Sequence, residues 1–163
     1  MSPQPGRPPT LVPSPPRYDP WQDLRHNWPA VRVVLEPMSG DLLGEVRDGG
    51  SLIALRAGTS AAQRRCTLAH EIVHLERGIR ECGPWLLREE QAVHLIATRR
   101  LITDAQLAAA LRDLGGADDR AALAHALEVD TETLLLRLST LLPAERRRLR
   151  RGLARAAPLW ALA

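Results

Sequence analysis

The chain has 163 residues, which is enough for one small domain with a buried core. Its net charge is only +3, and two cysteines are too few for a disulfide framework. The N-terminal residues lack the apolar core of a signal peptide, and no apolar run approaches membrane-spanning length. We therefore expect a cytoplasmic protein with no membrane partner.

The first twenty residues are predicted to form a disordered arm. Eight of the thirteen prolines lie between Pro3 and Pro20. A segment of this composition cannot bury enough apolar surface to form a core. The fold is expected to begin near Trp21, with a short helix through Asn27.

Three strands are predicted next. The run from Val31 to Glu36 is rich in β-branched residues, as strands are. Leu43 to Arg47 and Ser51 to Arg56 flank the turn 48–50, Asp-Gly-Gly, and this arrangement is typical of a hairpin.

From Ala61 the apolar pattern becomes helical and stays helical to the end of the chain. Three helices are predicted at 61–77, 85–102 and 104–114. Two short helices between Asp119 and Leu142 are expected to join near Val129 and Asp130, and Pro143 can begin a last helix.

The motif His70-Glu71-Ile72-Val73-His74 carries the clearest chemistry in the sequence. Residues four apart lie on one face of a helix, so His70 and His74 can direct two imidazoles at one metal ion. Glu71 is rotated by about 100° from His70 and can accept a proton from a water beside the ion. The pattern predicts a metal-dependent peptidase. In zinc peptidases the strand before such a helix typically pairs with the substrate backbone, and here that strand is Ser51 to Arg56.

The third ligand is less well determined by spacing alone. The metzincin continuation requires Gly and His where this chain has Arg77 and Arg80, so that subclass is excluded. Glu89 and Glu90 open the next helix, and helical periodicity does not separate them. His94 and Glu90 are candidates for residues that support the ligands, and His94 can also steady the oxyanion.

The segment 64–75, with Glu89-Glu90-Gln91-Ala92, resembles the ImmA/IrrE family of metallo-endopeptidases. The resemblance implies that Glu89 is the third ligand, because Ala92 follows it by three residues as in the family's Glu-x-x-Ala pattern. It also implies a protein substrate, a repressor-type transcription regulator. Zinc is the expected ion, although His₂Glu ligation also suits manganese or iron.

The sequence departs from the family pattern at several positions. Cys66 stands where an aromatic residue is usual, and Val93 stands where Asn or Asp is common. Arg99 and Arg100 replace an apolar pair at the end of the second helix. Cys66 precedes His70 by four residues, and a fourth protein ligand there would close the metal site and make it structural.

The predicted fold is α+β. A small antiparallel or mixed sheet of about three strands packs on a zincin-like helical domain at 21–114, after the arm at 1–20. The C-terminal segment 115–163 is helical and resembles a helix-turn-helix with an Arg-rich tail.

Two functions follow from this organisation. The first is a zinc endopeptidase that cleaves a regulator. The alternative is a DNA- or protein-binding regulatory module with a structural or vestigial metal site. The second C-terminal helix begins with Asp130 and Glu132, which do not suit contact with phosphates. We therefore favour packing or substrate recognition over direct DNA binding for this segment.

Overall fold

The computed structural model describes residues 17–78, 86–115 and 119–152. The elements in chain order are α1 Pro20–Asn27, β1 Arg32–Glu36, β2 Gly44–Arg47, β3 Leu52–Arg56, α2 Ala61–Arg77, α3 Leu86–Leu101, α4 Asp104–Asp113, α5 Arg120–Leu127, α6 Thr131–Ser139 and α7 Pro143–Gly152. The predicted α+β class is confirmed. Residues 1–16 of the Pro-rich arm, the predicted helix start at Trp85 and the last eleven residues lie outside the described ranges. None of the described helices is long and apolar enough to cross a membrane.

The sheet is mixed, and its strand order is β1-β3-β2. β3 pairs in parallel with β1 and antiparallel with β2. Both edges of β3 are therefore occupied, and the expectation that this strand pairs with substrate is wrong. The free edge next to the motif helix belongs to β2.

The tight turn between β2 and β3 fixes this hairpin. Asp48, Gly49 and Gly50 all have positive φ, at 52°, 63° and 96°. Glycine adopts this region without a steric penalty, which explains the Gly-Gly pair. β1 pairs with the other side of β3, so β3 is the central strand and β1 and β2 are the two edge strands.

Helix α2 is buried on two faces. Leu68 and Ile72 pack with the sheet and α1, whereas Ala69 and Val73 pack with the helical half of the molecule. A capping box between Ser60 and Gln63 fixes the start of the helix. The motif residues His70, Glu71 and His74 share one side of α2, between these two cores.

The helices of the C-terminal half surround a buried ion-pair network. Arg137 on α6 is 2% exposed, and it donates to Asp104 at 2.6 Å and to Glu145 at 3.0 Å. Burial alone would raise the pKa of Glu145, but the Leu142 backbone N–H and the guanidinium groups of Arg137 and Arg99 outweigh it and lower the pKa to about 2. Arg99, one of the departures from the family pattern, is therefore a partner in this network.

Candidate metal centre

Three side chains converge at the open side of α2. The Nε2 atoms of His70 and His74 lie 3.0 Å apart, and each lies near one carboxylate oxygen of Glu90 on α3, at 3.4 and 3.3 Å. All three side chains are partly buried. Among the described residues, these three form the group of donor atoms close enough to share one metal ion.

The geometry of this triangle fits a tetrahedral metal ion. Metal–ligand bonds of about 2.0–2.1 Å at tetrahedral angles place neighbouring ligand atoms about 3.3–3.4 Å apart. The observed separations of 3.0–3.4 Å agree with that value. Two imidazole nitrogens and one carboxylate oxygen also form a common ligand set of catalytic zinc. Such a set occupies three positions and leaves the fourth open.

The structure brings Glu90, rather than Glu89, to the histidines. Glu89 points to the other side and forms a two-pronged ion pair with Arg77, with one N–O distance of 2.9 Å. The expectation that Glu89 is the third ligand is therefore corrected. Consecutive helical residues differ in direction by about 100°, so only one of the two glutamates can face the ion.

Two ion pairs join α2 to α3 and set the rotation of α3. Besides the pair of Arg77 with Glu89, Arg100 donates two hydrogen bonds of 2.7 Å to Glu76. Arg100 is the second departure from the family pattern, and its partner explains why an Arg is accommodated there. These two ion pairs hold α3 against α2 in the orientation that places Glu90 beside His70 and His74.

Glu71 lies beside the triangle and is buried. Its side chain lines the cavity next to His70, the residue is 5% exposed, and it has no hydrogen-bonding partner among the described residues. Burial raises the pKa of Glu71 to about 8, with further contributions from the negative charges of Glu90 and Glu45. These are the properties of a carboxylate that can take up and release a proton near neutral pH.

His70 is held in the neutral form that binds metals. Burial, followed by the neighbouring rings of His94 and His74, lowers its pKa to about 3. The ring of His94 lies against that of His70, with centroids 4.3 Å apart. The buried Nδ1 of His70 has no hydrogen-bonding partner within the described residues. His94 was predicted to support the metal ligands, and its ring contacts that of the candidate ligand His70.

Cys66 does not join the metal group. It is buried in the helical core, and its pKa is raised to about 11 by burial and by the nearby charge of Asp130. Its sulfur is not among the donor atoms that lie close enough together to share one ion. The replacement of the family's aromatic residue by Cys66 is thus a change of core packing.

A cavity of about 500 Å³ opens onto the metal centre. Its floor is formed by His70 and Glu71 of α2 and by His94 of α3. One wall is the segment 41–44, which leads into β2, and the other is the start of α6. The cavity therefore connects the edge strand, the metal centre and the C-terminal helices.

Comparison with protein-family models gives a match over most of this architecture. The model of the IrrE N-terminal-like domain, Peptidase M78, matches residues 29–139. The chain belongs to this family. The match includes the sheet, the motif helix and Glu90, and it extends through α6 of the peptidase M78 domain. The family assignment identifies a domain of the metallopeptidase type. Neither the curated proteins nor the solved structures gave a match.

Proposed function

We propose that the protein is a zinc-dependent endopeptidase that hydrolyses a peptide bond in a protein substrate. His70, His74 and Glu90 hold the ion, and Glu71 is the catalytic acid and base. The observation that carries the proposal is the triangle of donor atoms at 3.0–3.4 Å beside a buried carboxylate without a partner.

A bound dication supplies Lewis-acid chemistry, which polarises the substrate carbonyl and makes a water molecule more acidic. Glu71 takes the proton of the attacking water on its carboxylate and transfers it to the nitrogen of the leaving amine. Glu71 lines the cavity next to His70, so its carboxylate is placed for both transfers.

We assign the substrate backbone to the free edge of β2. This strand pairs with β3 on one side, and no described strand covers its other side. Gly44 begins β2 and lies against Thr67 of α2, in the cavity that also contains His70. A peptide that adds as a further strand there would run beside the metal centre.

A repressor-type transcription regulator is the proposed substrate, on the basis of the resemblance to ImmA/IrrE endopeptidases. Such a role requires access to cytoplasmic regulators, and we propose that compartment. Direct DNA contact is not needed for this function. The exposed arginines of α7 are the feature that favours DNA contact, and a DNA-binding assay tests it.

The alternative of a structural metal site is disfavoured by the ligand count. Structural zinc sites have four protein ligands, whereas the described residues supply three. A structural site also has no use for a buried carboxylate such as Glu71 next to the ion.

The Glu71→Gln variant tests the mechanism. It keeps the side-chain volume and all three ligands, so we expect stoichiometric zinc in both proteins and at least a roughly hundredfold loss of cleavage in the variant. The assay is incubation of each zinc-loaded protein with repressor-type transcription regulators, followed by mass spectrometry of the fragments. Full cleavage by zinc-loaded Glu71→Gln would refute the assignment.

A further inference from the structure

The cavity at the metal centre is lined by carboxylates and by no arginine, although the chain has 22 arginines. We call this cavity the acidic cleft, and its four acidic residues are Asp41, Glu71, Asp130 and Glu132. Asp41, Asp130 and Glu132 line the cavity but do not belong to the proposed catalytic residues. The chain as a whole has a net charge of +3, so the negative charge of this cavity is opposite in sign to the net charge of the protein.

Two of these wall carboxylates are available to a ligand. Asp41 precedes β2 and Glu132 lies in the first turn of α6, so two different elements of the fold bring them to the cleft. Both are exposed, and neither forms a hydrogen bond or ion pair with another described residue. Asp130, in contrast, caps α6 by accepting a hydrogen bond of 2.7 Å from the Thr133 backbone N–H. Asp41 and Glu132 therefore keep their full capacity to accept hydrogen bonds.

The floor of the cleft independently indicates that a ligand enters. Glu71 is 5% exposed, lines the cavity and has no hydrogen-bonding partner among the described residues. A substrate that reaches Glu71 occupies the same cleft that Asp41 and Glu132 line.

Glu132 also lies where the cleft meets a second groove. This groove, of about 810 Å³, runs between the start of α2 and the α5–α6 turn, and it shares Leu43, Asp130 and Glu132 with the cleft. Its one lining arginine, Arg65, donates to the backbone carbonyls of Tyr18 and Glu128. That arginine is thus engaged elsewhere and does not neutralise Glu132.

We propose that the acidic cleft selects a peptide segment with a basic side chain, Arg or Lys, and that Asp41 and Glu132 are its specificity-determining residues. The ammonium or guanidinium group supplies the donors that these two carboxylates lack, and Arg can bind a carboxylate through two hydrogen bonds. The inference rests on the proposed function, since it names the substrate class of the same site.

The experiment measures the binding of tetra-arginine to the zinc-loaded full chain carrying Glu71→Gln, which prevents turnover. We expect Glu132→Gln and Asp41→Asn each to weaken the dissociation constant about two- to fivefold, and high salt to weaken it further. Asp113→Asn is the matched control, because it removes the same charge from an exposed position outside the cleft, and it should leave binding unchanged. Isothermal titration calorimetry gives the constants.

The two cleft variants and the control remove the same charge, so a difference between them reports on the cleft and not on the net charge of the chain. Absence of tetra-arginine binding, or equal weakening by Asp113→Asn, would overturn the inference. A cleavage profile on a proteome-derived peptide library separates the two proposals. Wild-type cleavage with no enrichment of Arg or Lys near the cut overturns the specificity alone, whereas cleavage that survives Glu71→Gln overturns the proposed mechanism.

Discussion

Gly44 allows the edge strand β2 to approach the motif helix closely. A methyl group added at this position would overlap the γ-methyl of Thr67 on α2, and it would lie only 3.2 Å from the carbonyl oxygen of Ala54. Carbonyl oxygens and helix backbones do not move easily in a packed core. The substitution Gly44→Ala should therefore push β2 away from α2 or strain both.

The expected cost of Gly44→Ala follows from two opposing effects. Overpacking of a core position costs about 1–3 kcal/mol, and the replacement of glycine by alanine returns about 0.4–1 kcal/mol by restricting the unfolded chain. We expect a net loss of about 1–2 kcal/mol. For a chain of this size, that corresponds to a fall in melting temperature of about 2–4 °C for each kcal/mol.

The assay is urea unfolding of four proteins: wild type, Gly44→Ala, Thr67→Ser and the double variant. Thr67→Ser removes the γ-methyl that the new side chain would meet, so it should reduce the cost of Gly44→Ala by about half. A Gly44→Ala variant within about 0.5 kcal/mol of wild type would refute the close approach of β2. A double variant whose loss of unfolding free energy equals the sum of the two single losses would also refute it.

Two further predictions concern groups away from the metal centre. Glu145→Gln should destabilise the chain by about 2–3 kcal/mol at pH 7, because Arg137 loses a buried ionic partner. The pKa of Glu145 is about 2 in the folded chain against an ordinary 4.5, so its contribution is complete above pH 4.5 and is lost as the pH falls from 4.5 through 2. Urea titrations should show the difference between wild type and variant shrinking over that range, and a constant difference would contradict the network. In a Cys82→Ser background, Cys66 should react with iodoacetamide at pH 8 only after unfolding, because burial raises its pKa to about 11; rapid labelling of the native protein would disprove its burial.

The motif helix could be predicted from the sequence because its signals are local. The helix from Ala61 to Arg77 has the predicted bounds, and the spacing of His70, Glu71 and His74 already determines that they share one side of α2. The order of the strands could not be predicted in the same way. It depends on the parallel pairing of β1 with β3, a contact between strands that are distant in sequence.

The choice between Glu89 and Glu90 depends on the rotation of α3, which long-range contacts determine. The ion pairs to Arg77 and Glu76 and the burial of Val93 fix that rotation, and none of them is visible in helical spacing alone. One signal was present in the sequence. His94 follows Glu90 by four residues, so the two share one side of the helix, and a functional role for His94 favours Glu90 as the ligand.

The most direct test of the account compares zinc affinity in two isosteric variants, Glu90→Gln and Glu89→Gln. Both remove one negative charge from adjacent positions of α3, but only Glu90 lies within 3.4 Å of both histidines. We predict that Glu90→Gln weakens zinc binding roughly a hundredfold or more, whereas Glu89→Gln weakens it less than about tenfold through the loss of its ion pair. Competition with a chromophoric chelator measures both constants. The reverse order, or equal affinities in the two variants, would contradict the assignment of the metal centre.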